Sequence, residues 1–130
     1  MHARCSYDYA IVRVVPRVER GEFINIGVIV SCPEKDYLVA SIEIDEARLH
    51  AFDPNIDIEA IRRHANSVAL ICAGGADAGP IGKLSQRERF HWLTAPRSTI
   101  IQTSPAHAGQ CGEPDNVLEH LMQNMVQVTR

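Results

Sequence analysis

The side chains best suited to chemistry in this sequence are arginines set among neutral donors. Eleven of the thirteen cationic residues are Arg, whose planar fork matches a carboxylate or phosphate at two points. Six of them, Arg17 included, sit in stretches with strong structural signals, and five are candidates: Arg13 and Arg20 in YDYAIVRVVPRVERGEF, and Arg87, Arg89 and Arg97 in QRERFHWLTAPR. Asn25, His91 and His107 supply neutral donors. Two or more converging forks repel each other unless an anion lies between them, so the chemistry implied is recognition of a phosphate or carboxylate. An internal reading stands beside it, because Glu19, Glu22 and Glu88 are close enough in sequence to pair the same arginines as ordinary ion pairs.

Arg13 makes the sharpest demand. The run Tyr7 to Val15 is aromatic and β-branched, which favours a strand. Ala10, Val12 and Val14 form one apolar face, and the other is apolar except at Arg13. A strand with two apolar faces is covered on both sides or central in its sheet, so Arg13 is costly to bury unmatched. Pro16 ends the strand, and Gly21 supplies the positive φ of the reversal. The returning strand, Phe23 to Ser31, is expected to place Ile24, Ile26, Val28 and Val30 on one face and Asn25, Gly27, Ile29 and Ser31 on the other. Gly27 in mid-strand marks a bulge or the close approach of another backbone, and with Asn25 it outlines a hollow beside Arg13.

The remaining elements follow from period and caps. Tyr37 to Ile44 alternates as a half-exposed third strand and completes an N-terminal meander. Asp45 opens a short helix and Asp57 caps a second over Ile58 to about Ala73, ended by Gly74-Gly75. The connector AGGADAGPIGK fails as a phosphate loop, since it follows a helix and its Gly82-Lys83 precedes Leu84. Ser85-x-x-Glu88 is a capping box opening a short helix. Residues 97–105 read as a fourth strand, whose Ser98, Thr99, Thr103 and Ser104 serve either as edge packing or as donors to an anion. Pro114 opens a last helix with Val117, Leu118, Leu121, Met122, Met125 and Val126 as its core stripe. The expected fold is α+β: an antiparallel sheet of about four strands, the meander plus a later strand, with three to four helices mainly on one face.

Composition narrows the function classes. At 130 residues and 45% apolar content the chain fits one domain, 1–130, with its own core. The formal charge is −3, with no basic stripe, which argues against nucleic acid. Cys5, Cys32, Cys72 and Cys111 are scattered and read as reduced, pointing to the cytoplasm. No apolar run is long enough to span a membrane. His107 and Cys111 have a chelating separation, but no second pair stands nearby, so neither metal nor cofactor is expected.

The motifs Tyr7-x-Tyr9, Arg13-x-Val15-Pro16, Glu22-Phe23-x-Asn25-x-Gly27, Ala78-Gly79-Pro80-Ile81-Gly82, Gln86 to Leu93 and Ala95 to Thr99, with Thr103-Ser104-Pro105, His107 and Gly109, resemble a bacterial family known as domain of unknown function 3037. The resemblance runs almost end to end and brings no catalytic residues with it. It implies one association, with kinases of the HipA type as possible partners. The sequence thus supports an accessory domain that binds an anionic small molecule or a partner protein through Arg13, Arg20, Asn25, Arg87, Arg89, His91, Arg97 and His107. Two alternatives are an enzyme acting on phosphoesters or nucleic acid with His91 or His107 as acid and base, and a structural homodimer subunit.

Overall fold

A computed structural model describes residues 4–97 and 99–128, and all of the side chains in that range except that of Cys111. The fold is α+β. Five antiparallel strands, β1 (Cys5–Val14), β2 (Ile24–Cys32), β3 (Tyr37–Ile42), β4 (Ile101–Thr103) and β5 (His107–Cys111), form one sheet. β1 is central. β2 and then β3 lie on one side of it, while β4 and β5 share its other side, β4 against Val12–Val14 and β5 against Cys5–Tyr9. The fourth strand is therefore shorter than 97–105, and a fifth joins it. Ser98 lies outside the described residues.

β4 and β5 are one return path interrupted at Pro105, which has no N–H to give the ladder. Ser104 bridges the interruption. Its backbone N–H donates to the Ile11 carbonyl at 2.8 Å, and its Oγ accepts from the Ile11 N–H at 2.8 Å. A buried hydroxyl thus takes the place of a missing backbone acceptor, which explains a serine in the core.

Four α-helices cover the sheet: α1 (Glu46–Phe52), α2 (Ile58–Ala73), α3 (Gln86–Thr94) and α4 (Pro114–Leu121). Their starts follow the expected chemistry, with Asp45, Asp57 and the Ser85–Glu88 box capping α1 to α3 and Pro114 opening α4. Three helices lie on one face, where Leu49, Ile61 and Phe90 pack with Val12, Val14, Ile26 and Ile29. Full burial of each such side chain stabilises by roughly 1.5–3 kcal/mol, enough to fix helices this short. α4 covers the opposite face through Leu121, Met122 and Val126, against Ile11, Val28 and Val30.

Two expectations about faces are corrected by local geometry. The β1–β2 register slips between Val12, opposite Gly27, and Arg13, opposite Asn25. This bulge inverts the alternation, so Ile24 and Ile26 share a face with Ile29, while Val28 and Val30 point to the other. Gly27 also permits a close approach, since a Cβ there would lie 2.5 Å from the Ser41 carbonyl oxygen. At the far end, α4 widens into a π turn over Met122–Val126. The wider turn rotates Met125 out of the core stripe, leaving it 42% exposed.

Candidate anion-recognition site

Arg13 leaves the central strand toward the α4 face, directly across from Asn25 on β2 and Gln102 on β4. Its guanidinium lies 4.0 Å from the centre of the Phe23 ring. The ring's negative face attracts the cation but offers no lone pair in the plane of the fork. Nε is buried and has no hydrogen-bond partner, and among the described residues no carboxylate pairs with Arg13. An orphaned buried donor of this kind costs about 1–3 kcal/mol.

Asn25 stands beside it for a second reason. Its Nδ2 donates to the Met125 carbonyl at 3.0 Å, while Arg48 Nη1 donates to the Val126 carbonyl at 3.3 Å. The π turn leaves these carbonyls without ordinary helical partners, so two side chains reach from other elements to hold it. Asn25 Oδ1 remains buried without a partner. The orphan donor of Arg13 and the orphan acceptor of Asn25 thus sit on directly opposed residues. Asn25 and Arg48 also line a cleft of about 290 Å³ together with Glu43, Asp45 and Val126.

The other arginines are engaged by different parts of the protein. Arg20 pairs with Glu22 within its own turn, which raises the arginine's pKa and lowers the carboxyl's. Arg87 pairs with Asp8 of β1 at 2.6 Å, tying α3 to the sheet. Arg89 points to the end of α2, donating to the carbonyls of Ile71 and Cys72 at 2.9 and 2.8 Å and to that of Leu84 at 3.2 Å. Arg97 caps α3 in the same way, through the carbonyls of Leu93 and Trp92, and lies over the Trp92 ring. No partner is shared between any two of these five arginines. Beside Arg89, burial pushes the Cys72 thiol up to about 12 although the arginine's charge pulls it down, which marks it as a neutral core thiol.

His91 is exposed on α3, and His107 is exposed on β5 with its ring 5.3 Å from that of Tyr9. Neither lines the cleft beside Asn25. Among the described residues no group of three His, Cys, Asp or Glu is placed to hold a metal; the Cys111 thiol, half of the His107–Cys111 spacing, is outside them. Of the acids close in sequence to the arginines, Glu22 pairs one, whereas Glu88 is occupied by the Ser85 cap. The acid that sequence reasoning passed over is Asp8. It is the single carboxylate in β1, and that isolation is the signal that a cation must meet it.

A sequence model of the family described as protein of unknown function (DUF3037) matches residues 9–126. The chain belongs to that family. No curated protein and no solved structure matches it. The DUF3037 match takes in Arg13, Phe23, Asn25 and the π turn alike, and no described helix of this member is long and apolar enough to cross a membrane.

Proposed function

We propose that this DUF3037 protein is a non-catalytic binding domain whose recognition point is the Arg13 guanidinium, and that it receives a carboxylate or phosphate group. The supporting observation is that Arg13, half-buried on the central strand, has an aromatic ring beneath it and no acidic partner among the described residues. The surroundings favour a small charge over a large one. Glu43 and Asp45 line the neighbouring cleft and would repel a polyphosphate, whereas a carboxylate or phosphomonoester can be met by one fork. The exposed faces of Phe23 and Met125 suit an apolar group next to that anion. A protein carrying such a group, the HipA-like kinase implied by the resemblance included, is a partner of the right chemistry.

The test is a titration of dicarboxylates, nucleoside monophosphates and phosphopeptides, followed by calorimetry and by the arginine Nε–Hε resonances. A saturable shift of the Arg13 signal, abolished in Arg13→Gln and retained in Arg20→Gln, is the expected result. Absence of heat and of any Arg13 shift across the panel would refute the proposal.

A further inference from the structure

The free edge of the sheet carries a different message from the Arg13 site. Among the described residues β3 pairs with β2 alone. Its sequence, Tyr37 to Ile42, contains no charge and no proline, the devices by which sheet edges are ordinarily blunted. Val39 is exposed in its middle. Such an edge is a template for another strand.

Two unlike clefts flank this edge, one on each face of the sheet. On the side of α2, Ala40, Ile42 and Ile44 face Ala65 and Ala69, whose small side chains leave an apolar trough. Arg62 at its rim is already matched by Glu46 at 2.8 Å. On the side of α4, Ser41 lies with Asp115, Glu119 and Gln123. Asp115 accepts the Tyr37 hydroxyl at 2.6 Å and Glu119 is exposed. A strand added to β3 would send alternate side chains to the two faces, one set into the alanine trough and the other toward the carboxylates.

We infer that β3 is a docking edge for an extended segment of a partner protein in which apolar residues alternate with lysine or arginine. Main-chain pairing supplies the attachment and the two clefts supply the sequence preference. A second copy of this chain is the poorer occupant. Antiparallel pairing of β3 with its own copy brings Asp115 and Glu119 of both α4 helices to the same face of the joined sheet, where like charges oppose.

Three capped eight-residue peptides test this: alternating valine and lysine, alternating valine and glutamate, and the valine–lysine peptide N-methylated at every second residue. Binding is read from amide shifts and hydrogen exchange in β3. The valine–lysine peptide is expected to bind at least tenfold more tightly than the glutamate version and to slow exchange at Val39–Ile42. N-methylation should abolish binding. Glu119→Lys should reverse the charge preference, and Ala69→Leu, a change at an exposed helix position, should weaken binding by filling the trough. Equal affinity of the lysine and glutamate peptides, undiminished binding of the N-methylated one, or shifts that map away from β3 would overturn the inference. A dimer in sedimentation with its β3 amides already protected would also overturn it, assigning the edge to a second copy.

Discussion

Arg13 and Arg89 are both half-buried arginines with no carboxylate partner among the described residues, and they are in opposite conditions. Arg89 meets two carbonyls at the end of α2, where the last turn of a helix carries partial negative charge, and that of Leu84 just before α3. Its fit is close enough that a Cβ on Gly74 would lie 2.8 Å from Nη1. Arg13 meets the face of Phe23, which offsets its charge but leaves Nε without an acceptor. Neither charge nor depth separates the two. What separates them is the inventory of acceptors, and it makes Arg89 a structural element and Arg13 a candidate for recognition.

The contrast is open to measurement. Replacing Arg89 by Met should lower the unfolding free energy by about 2–3 kcal/mol, since it strands two helix-end carbonyls and that of Leu84; urea denaturation with an unchanged m-value would show it. A loss under about 0.5 kcal/mol, a typical surface value, would erase the distinction. Ser104→Ala, which deprives the buried Ile11 N–H of its acceptor, should cost about 1–2 kcal/mol on the same assay. Arg13→Met should leave stability within about 0.5 kcal/mol of the parent or raise it, because it removes an unpaired donor while keeping contact with Phe23. A clear loss there would mean that Arg13 holds the fold together.

The smallest effect concerns pH. Hydrogen bonds from the Ser85 hydroxyl region and backbone hold the Glu88 carboxyl below its ordinary value. A depressed folded pKa means the contribution is present above the unfolded carboxylate value and lost as pH falls through the folded one. Protection of the amides in the first turn of α3, taken relative to their intrinsic exchange rates, should therefore fall on acidification through that range, while protection at the end of α2, held by Arg89, persists. An equal loss of protection at both places would dissolve the contrast.

Much of the scaffold was legible in the sequence. Asp45, Asp57, Ser85–Glu88 and Pro114 announce helix starts through chemistry local to a few residues, and the two apolar faces of β1 announce a central strand. The candidate site was legible only in part. Arg13 was conspicuous because it interrupts an apolar strand, but its neighbours depend on long-range pairing. Asn25 holds Met125 one hundred residues away, and Arg87 finds Asp8 across the sheet. The π turn and the phase of β2 were missed for a related reason. Each inserts one residue's worth of rotation that a fixed period of 3.6 or 2 does not anticipate.

The Gly27 bulge bears on more than the packing of β2. Asn25 stands on the α4 side, opposite Arg13, because one surplus residue separates it from Val28 and Val30. Pairing that ran on unbroken past Gly27, with no residue left out of the ladder, would set Ile26 opposite Arg13 and turn the asparagine amide to the helices on the far side. Deleting Ile26, the residue left out, would instead bring Gly27 next to Asn25 and keep the amide opposite the arginine. A homologue with a regular β2 of the same length would therefore present a greasy wall where this protein has an amide, whereas one shortened by that residue would keep it.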